Sequence, residues 1–196
     1  MLKRIFDILI SLFSLILLFP ILIIVLVLIK LTSKGPVFYR QTRVGEKSRD
    51  FKILKFRTMY VGADKLGLLT VGGKDSRITR IGYYLRKYKL DELPQLINVF
   101  IGEMSFVGPR PEVRKYVALY TEEQKKIFKV RPGITDMASI EYRNENEILS
   151  QQINPDQYYI EVIMPRKIQI NLDYISQRNL YQDFSVILKT FSAILK

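Results

Sequence analysis

The longest apolar run of the chain lies near its amino terminus, at residues 8–29, where no side chain is charged. Pro20 and two serines are its only members that are neither aliphatic nor aromatic. An apolar run longer than about 18 residues can cross a lipid bilayer as a helix. The run therefore predicts a membrane segment over residues 1–34, followed by one folded domain at 35–196.

Pro20 and the flanking charges leave two courses open for this segment. A proline in the helix interior removes a hydrogen bond and bends or breaks the helix there. Lys3 and Arg4 precede the run and Lys30 and Lys34 follow it, and the positive-inside tendency places both ends in the cytoplasm. A straight single-pass anchor and a re-entrant helix broken at Pro20 both remain open. A cleaved signal peptide is disfavoured, because the run is too long and no small-residue cleavage site follows it.

Beyond residue 35 the pattern predicts a mostly α-helical domain with a short β-hairpin and little other sheet. Alternating apolar positions around Gly45 predict the hairpin at 37–61, and a glycine-rich stretch at 62–75 predicts a mobile loop. Five helices are predicted. The first is amphipathic, at 76–89, and the second holds Asp91 and Glu92 in its first turn and runs to about Phe100. The third is opened by a Thr121–Gln124 capping box and stopped at Arg131, the fourth begins at Asn154 and bends or ends near Pro165, and the last runs from Leu180 to Ile194.

The last predicted helix carries an apolar stripe that has two interpretations. Its members include Leu180, Phe184, Leu188 and Phe191, at helical spacing. Such a stripe can pack in the core of the domain. It can equally lie on a membrane surface as an interfacial helix.

The charge balance and two missing residue types narrow the chemistry. The chain has 31 Lys and Arg against 19 Asp and Glu, a net charge of +12, which suits anionic lipid, phosphorylated small molecules or nucleic acid. It has no Cys and no His, which excludes thiolate catalysis, disulfides, Ser-His-Asp triads and the usual zinc sites. A reactive group would then be a carboxylate, an amine or a hydroxyl. Any metal should be a hard cation held by oxygens, such as Mg²⁺.

Asp91 and Glu92 are candidates for a nucleophile and for metal ligands. Taken alone, Asp91 could simply cap the helix that is predicted to begin there. The same position would keep the carboxylate ionised, because the amino-terminal end of a helix carries positive potential, and an ionised carboxylate can act as a nucleophile. The two carboxylates could hold Mg²⁺, which would screen the repulsion between carboxylate and phosphate.

Basic residues in two other segments could bind phosphate. Arg110 lies between two prolines, an arrangement that holds its guanidinium ready for phosphate oxygens. Lys55 and Arg57 lie on the predicted hairpin and, taken alone, could be solvent-exposed strand residues. Together with Asp91 they indicate phosphoryl transfer at a membrane surface, where positioning and charge neutralisation supply most of the catalysis.

These segments resemble a known family, the small monotopic phosphoglycosyl transferases of bacteria, also called bacterial sugar transferases. Members load a phosphosugar from a nucleotide-diphosphate sugar onto polyprenyl phosphate. The resemblance covers nearly the whole chain. Its motifs are KRIFD at 3–7, GPVFYRQ at 35–41, KFRTM at 55–59, LDELPQLINV at 90–99, GEMSFVGPRPE at 102–112 and RPGIT at 131–135.

The resemblance implies a membrane arrangement and a mechanism. The helix of residues 1–34 would be re-entrant and broken at Pro20, with amphipathic interfacial helices and a cytoplasmic catalytic domain at the bacterial inner membrane. Asp91 would attack the phosphate that carries the sugar of a UDP-sugar and release UMP, and polyprenyl (undecaprenyl) phosphate would then take the phosphosugar in a ping-pong reaction. The reaction would be the first membrane step in the synthesis of a capsule, exopolysaccharide, O-antigen or glycoprotein.

The resemblance also implies roles for single residues. Asp91 matches the nucleophile and Glu92 the second member of its dyad, with Mg²⁺ as the cofactor of both. Residues 136–142 depart from the family pattern, so no nucleotide or sugar contact is carried over to them. The candidates for binding substrate and phosphate are Arg110, in the Pro-Arg-Pro motif associated with the nucleotide phosphates, then Lys55, Arg57 and Arg131 in matching motifs, and Arg143.

Three functional hypotheses follow. The first is the enzyme described above, with a UDP-sugar, polyprenyl phosphate and inner-membrane lipid as partners and a homodimer left open. The second is a membrane-anchored module that binds nucleic acid or acidic lipid, which the absence of a recognised nucleic-acid motif disfavours. The third is an assembly scaffold whose chemistry has decayed, which the intact Asp91, Glu92 and Arg110 disfavour.

Overall fold

Helices dominate the computed structural model, which describes residues 2–63, 67 and 75–195. The prediction of a mostly helical chain with a short β-hairpin is confirmed. Most of the loop predicted at 62–75 lies outside the described residues. The helices are α1 (Leu2–Thr32), α2 (Arg80–Lys87), α3 (Gln95–Ile101), α4 (Arg114–Val117), α5 (Met137–Glu141), α6 (Glu145–Ser150), α7 (Pro155–Tyr158), α8 (Met164–Gln177) and α9 (Leu180–Leu195), and the strands are β1 (Phe38–Val44), β2 (Asp50–Phe56), β3 (Ser105–Val107) and β4 (Gly133–Thr135).

Helix α1 is continuous over 31 residues and contains Pro20 in its interior. The predicted break at Pro20 is not confirmed. A proline removes one hydrogen bond of the helix, a loss that a long helix can accommodate by bending while its other hydrogen bonds persist. The helix is long and apolar enough to enter a membrane, and its re-entrant course stays a prediction.

The amino-terminal end of α1 is held to the domain by polar contacts. The guanidinium of Arg4 donates hydrogen bonds to the carbonyls of Val99 and Phe100, at 2.6 and 2.7 Å, at the end of α3. Asp7 is buried and accepts hydrogen bonds from the hydroxyl of Ser105 and the backbone N–H of Phe106. A buried carboxylate needs such donors, so these contacts fix where α1 begins on the domain.

The carboxyl-terminal end of α1 is held by apolar contacts. Val25 and Ile29 are buried and pack with Phe56 of β2 and Leu85 of α2. Between the two anchored ends, most side chains of α1 are exposed and apolar. They include Phe13, Ile16, Leu17 and Phe19, each at least 60% exposed.

The predicted hairpin around Gly45 is confirmed. Strands β1 and β2 pair antiparallel from Phe38 opposite Phe56 to Val44 opposite Asp50. The connection is a single 3₁₀ turn, Glu46–Ser48. The alternation of apolar and polar residues was sufficient to predict this hairpin, because the two strands are neighbours in sequence and need only a short turn to pair.

The helix that was predicted to begin at Asn154 and to bend or end near Pro165 does not end there. Asn154 caps α7 as predicted, accepting a hydrogen bond from the N–H of Gln157. The helical run then continues through a π turn, Tyr159–Ile163, into α8 without ending at Pro165. Pro165 lies in the first turn of α8, where a residue without an N–H is tolerated.

The apolar stripe of α9 is divided between core and surface. Val186 is buried and packs with Val107 of β3 and Tyr174 of α8. Phe184 and Phe191, in contrast, are 55% and 61% exposed. Part of the stripe therefore serves the core, and the membrane-surface position of the exposed part stays a prediction.

Candidate active site

A cavity of about 550 Å³ lies between the hairpin, the turn that carries Asp91, and helices α5, α6 and α8. Its lining includes Lys55, Asp91, Glu92 and Arg110, which come from three separate segments of the chain. The fold therefore brings together the four residues on which the predicted chemistry depends most.

Asp91 lies in a 3₁₀ turn, Leu90–Glu92, that precedes α3. Pro94 has no N–H, so the Leu90 carbonyl instead accepts from the N–H of Leu93, at 3.3 Å, in the tighter 3₁₀ pattern. Lys89 enters the turn in the left-handed conformation, with φ of 56°, which is strained for a residue with a side chain. This left-handed residue turns the chain between α2 and the 3₁₀ turn, and Asp91 then lies in the cavity wall.

The Asp91 carboxylate is 9% exposed, and no hydrogen bond between described residues ends on it. Burial raises its pKa, and the neighbouring charge of Glu92 raises it further, whereas Lys55 and other nearby cations oppose the shift. Because α3 begins four residues later and has only seven residues, the predicted α-helix does not begin at Asp91. Nearby cations favour the charged form of its carboxylate.

Glu92 joins two basic residues of the cavity. The Lys55 ammonium donates to Glu92 Oε1 at 2.8 Å, and the Arg110 guanidinium donates to both carboxylate oxygens. Burial alone would raise the pKa of Glu92, but the charges and hydrogen bonds of Arg110 and Lys55 hold it well below its ordinary value. Glu92 is therefore an ionised carboxylate that positions two cations beside Asp91.

The side chain of Asn98 fixes the hairpin against α3. Its Oδ1 accepts from the N–H of Leu54 and its Nδ2 donates to the carbonyl of Lys52, both at 3.0 Å. These bonds occupy the edge of β2 opposite β1. They set the distance between Lys55 on the strand and Glu92 on the turn that leads into α3.

The turn that carries Arg110 is held from both sides. Arg43 of β1 donates to the Pro111 carbonyl and to Glu112 Oε1, each at 3.0 Å. The Tyr159 hydroxyl donates to the other carboxylate oxygen of Glu112. Arg110 is thus positioned by contacts with the hairpin on one side and with the π turn before α8 on the other.

Arg57 lines the cavity but serves first as an anchor for α1. Its Nη2 donates to the carbonyl and the hydroxyl of Ser33, at 2.8 and 2.7 Å, just after α1 ends. The residue is 5% exposed, and within the described part of the chain its Nε and Nη1 have no hydrogen-bond partner. The structure therefore connects the end of α1 to the cavity wall through a buried guanidinium.

The two remaining predicted arginines differ in position. Arg143 lines the cavity, in the connection between α5 and α6. Arg131 does not line it. Its Nε lies 3.7 Å from Glu46 Oε2 in the hairpin turn, so the prediction that Arg131 binds substrate phosphate finds no support in its position.

The motif that contains Arg131 has a structural role. Strand β4 pairs parallel with β3, with Ser105 opposite Gly133. A Cβ atom on Gly133 would lie 2.2 Å from the backbone N of Gly108. The motif therefore packs against the backbone of the segment that carries Arg110, and Gly108 and Gly133 permit that close approach.

Comparison with known proteins agrees with this geometry. A model of the family described as bacterial sugar transferase matches residues 1–196. The chain belongs to the bacterial sugar transferase family. The family predicted from the sequence motifs is therefore confirmed.

Three relatives of this bacterial sugar transferase illustrate its similarities. It is 36% identical over 196 residues to the UDP-glucose:undecaprenyl-phosphate glucose-1-phosphate transferase of Klebsiella pneumoniae, covering 96% of this chain and 39% of that protein. It is 36% identical to the UDP-N-acetylgalactosamine-undecaprenyl-phosphate N-acetylgalactosaminephosphotransferase of Aeromonas hydrophila, covering 98% and 43%. It is 33% identical to the exopolysaccharide production protein ExoY of Sinorhizobium fredii, covering 98% and 84%. The chain thus spans about two fifths of the length of the first two relatives.

The donor atoms of this bacterial sugar transferase fit Mg²⁺ only in part. Mg²⁺ is usually held by one or two carboxylates together with substrate phosphates and waters, and Asp91 suits that role. Glu92 suits it less, because Lys55 and Arg110 already bind its oxygens. Among the described residues no group of three or more potential metal-ligating side chains occurs, so most ligands would have to come from the substrate and from water.

The residues at which this sugar transferase departs from the family pattern lie close to the site. Asp136 is buried, caps α5 by accepting from the N–H of Ser139 at 2.8 Å, and also accepts from its hydroxyl. The charge of Asp136 helps raise the pKa of Arg110. Ser139 and Tyr142 line the cavity, so this segment contributes both to the wall of the site and to the charge near Arg110.

Some residues of the cavity were missed by sequence reasoning. Arg43 lines the cavity but lies just outside the matching motif at 35–41. Glu145 and Lys167 line the cavity and pair at 2.6 Å across α6 and α8. No local pattern connects two residues 22 positions apart, so the sequence held no signal for this pair.

Proposed function

We propose that this protein transfers a phosphosugar from a UDP-sugar to polyprenyl (undecaprenyl) phosphate and releases UMP, by a ping-pong mechanism through a covalent intermediate on Asp91. The observation that carries the proposal is the Asp91 carboxylate in the cavity wall beside the Lys55–Glu92–Arg110 cluster. The named substrates of the first two relatives support a UDP-sugar as donor and undecaprenyl phosphate as acceptor. The reaction would be the first membrane step in the synthesis of a bacterial glycoconjugate.

In the first half-reaction an Asp91 oxygen attacks the phosphorus that carries the sugar. A bond forms between that oxygen and phosphorus, and the bond from phosphorus to the oxygen bridging to the second phosphate breaks. UMP leaves with the electron pair of that bond. The phosphosugar remains on Asp91 as an acyl phosphate ester.

In the second half-reaction a phosphate oxygen of the polyprenyl phosphate attacks the same phosphorus. The bond between phosphorus and Asp91 breaks, and the Asp91 carboxylate is restored. The product is a polyprenyl diphosphate sugar. No proton needs to be removed from either attacking group, because both are already anionic oxygens, which fits a site that has no His or Cys.

The cluster around Glu92 supplies charge neutralisation for both steps. A guanidinium has five N–H donors and an ammonium three, so Arg110 and Lys55 can keep their bonds to Glu92 while other donors face phosphate oxygens. Because Glu92 fixes both cations before substrate arrives, little reorganisation is needed during the reaction. Mg²⁺ bound to Asp91 and the diphosphate would add further neutralisation of the leaving phosphate.

The contacts of α1 support a membrane position with both of its ends on the cytoplasmic face of the bacterial inner membrane. A helix that crossed the bilayer would separate its ends by about 30 Å of hydrocarbon. Here one domain binds both ends, through Arg4 and Asp7 at one and Val25 and Ile29 at the other. A bend of α1 at Pro20 would then let the exposed apolar middle, including Phe13, enter the bilayer from the domain's side and return to it.

Measurement of UMP release tests the proposed reaction. Protein in nanodiscs with Mg²⁺ is given a panel of UDP-sugars, with and without undecaprenyl phosphate, alongside Asp91→Asn and the exposed control Asp173→Asn. We expect multiple-turnover release that requires the lipid, the metal and Asp91, and normal turnover of the control. Release by Asp91→Asn at an appreciable rate would remove Asp91 as the nucleophile. No release from any UDP-sugar by folded wild-type protein would favour a non-catalytic scaffold.

Cysteine labelling tests the membrane course, because the natural chain has no Cys. Single cysteines at Leu2, Phe13 and Lys34 are exposed to a membrane-impermeant maleimide in sealed inverted vesicles. We expect the Leu2→Cys and Lys34→Cys proteins to react from the cytoplasmic side and Phe13→Cys to be protected. Reaction of the two terminal cysteines from opposite sides would establish a single-pass anchor and contradict the proposed course.

A further inference from the structure

A second cavity of about 170 Å³ lies beside the main one and extends toward the core formed by α6 and α8. Arg110, Glu145 and Lys167 line both cavities, so the two spaces adjoin at these side chains. Lys167 donates to Glu145 Oε2 at 2.6 Å, and the two side chains are only 16% and 23% exposed. None of these features is explained by phosphate binding at Asp91, Glu92 and Lys55.

We propose that this side cavity is the subsite for the sugar of the donor, and that Glu145 and Lys167 determine which sugar is accepted. The proposal rests on the proposed function and deepens it. It follows from the directions in which the nucleotide, the lipid phosphate and the sugar must lie around the phosphorus atom that Asp91 attacks.

Attacking and leaving oxygens lie roughly in line in phosphoryl transfer. In the first half-reaction UMP therefore leaves on the side of the phosphorus opposite Asp91. In the second, the acceptor phosphate attacks opposite Asp91, at the position that UMP has vacated. One side of the site must serve both the nucleotide phosphate and the lipid phosphate, and the sugar, whose oxygen lies off this axis, must lie elsewhere.

The end of α1 identifies the side that serves the lipid. Pro36, Phe38 and Arg57 line the main cavity within a few residues of that end or in contact with it. A lipid phosphate delivered from the membrane surface arrives along this wall. The sugar is then directed away from this wall, and the side cavity, which none of these three residues lines, adjoins the main one at Arg110.

The size and chemistry of the side cavity suit a sugar ring. Its volume of about 170 Å³ is enough for one monosaccharide ring. Sugar hydroxyls both donate and accept hydrogen bonds, and the Glu145 carboxylate and the Lys167 ammonium supply acceptors and donors for them. A polar site that pairs with hydroxyls discriminates strongly between sugars that differ in one hydroxyl, because a mismatch leaves a half-buried polar group unpaired.

The test separates recognition of the sugar from recognition of the nucleotide. Full-length wild type, Glu145→Gln and Lys167→Met in nanodiscs are assayed for kcat/KM with UDP-glucose and UDP-N-acetylgalactosamine, and for the inhibition constant of UDP. The matched controls are Glu141→Gln and Arg166→Met, an exposed pair at 4.0 Å between α5 and α8 that lines neither cavity. Thermal shift by UDP and by each UDP-sugar gives a second readout that does not depend on turnover.

We expect each of the two cavity variants to lower kcat/KM for the preferred UDP-sugar by at least about tenfold, the loss of one hydrogen bond to a charged group. The preference between the two UDP-sugars should narrow, while inhibition by UDP changes by less than about twofold because UDP lacks the transferred sugar. The controls should match wild type. Equal losses for UDP and UDP-sugar, or an unchanged sugar preference, would overturn the assignment. If wild type neither binds a UDP-sugar nor releases UMP, the proposed function itself fails and the assignment falls with it.

Discussion

The two arginine–proline segments of this protein, residues 108–112 and 131–135, lie back to back and differ in what their arginines do. Arg110 reaches into the cavity and binds Glu92 beside Asp91. Arg131 approaches Glu46 in the hairpin turn and does not line the cavity. Both segments match the family's motifs, so a match to a motif does not separate a residue that lines the cavity from one that lies outside it.

The supporting segment acts through backbone contacts. The N–H of Gly133 donates to the Pro109 carbonyl at 3.0 Å, and the N–H of Gly108 donates to the Thr135 carbonyl at 3.1 Å. These bonds hold the base of the Arg110 turn against β4. The comparison predicts that changes to Arg110 impair turnover, whereas changes in the supporting segment act first on stability.

The largest effect is expected for Arg110→Met. Loss of one preorganised donor to developing charge typically costs about 10²- to 10³-fold in rate, and Arg110 also fixes Glu92. We therefore expect kcat/KM for the preferred UDP-sugar to fall by about that factor, measured by UMP release. Turnover within about threefold of wild type would show that Arg110 is not part of the reaction's charge neutralisation.

Gly133→Ala should act on folding instead. The added Cβ would lie 2.2 Å from the backbone N of Gly108, a contact that flexible side chains cannot relieve. We expect a loss of about 1–3 kcal/mol in the free energy of unfolding, measured by denaturant titration. The control is Gly45→Ala, whose Cβ would lie 3.0 Å from the ring of Phe51 and 3.5 Å from the Arg49 carbonyl oxygen, and should cost less. Equal stability of the two variants would contradict the close packing of the segments.

Tyr159→Phe should have a smaller effect on the Arg110 turn. The change removes the hydroxyl that donates to Glu112 but leaves Arg43 bound to the same carboxylate. Loss of one hydrogen bond costs about 1 kcal/mol, so we expect a similar loss of stability and a reduction in kcat/KM of about fivefold. A variant indistinguishable from wild type in both measurements would remove Tyr159 from the positioning of Arg110.

The smallest effect is expected for Arg131→Met. Its ion pair with Glu46 is partly exposed, and such pairs contribute about 0–1 kcal/mol. Turnover should stay within about twofold of wild type, because no phosphate contact is lost. A loss of turnover comparable to that of Arg110→Met would restore Arg131 as a phosphate-binding residue and end the contrast between the two segments.

Local features of the fold were predictable from the sequence. The hairpin and the Asn154 cap depend on residues that are close in the chain. The Thr121–Gln124 capping box also forms, with reciprocal hydrogen bonds at 2.9 and 3.2 Å, although it opens a 3₁₀ segment, Gln124–Lys129, and not a longer α-helix. Such patterns predict where an element begins better than which helical type follows.

Features that depend on distant contacts were not predictable. The Asp91 turn depends on strain at Lys89, and the pairing of Glu145 with Lys167 depends on how α6 packs against α8. The placement of Arg57 at the end of α1 likewise required the position of Ser33 in space. The residues themselves indicated Asp91, Glu92 and Arg110, and resemblance to a family added Arg131, but only the structure places the first three at the cavity and Arg131 outside it.

The covalent intermediate is the central claim, and a single-turnover experiment tests it most directly. Wild type and Asp91→Asn are mixed with a UDP-sugar labelled in the sugar, with Mg²⁺ and without polyprenyl phosphate. The account predicts a burst of UMP that approaches one molecule per protein, with the label retained on the peptide that contains Asp91, and neither result in the variant. UMP release that occurs only after the lipid is added, with no label on the protein at any time, would contradict it.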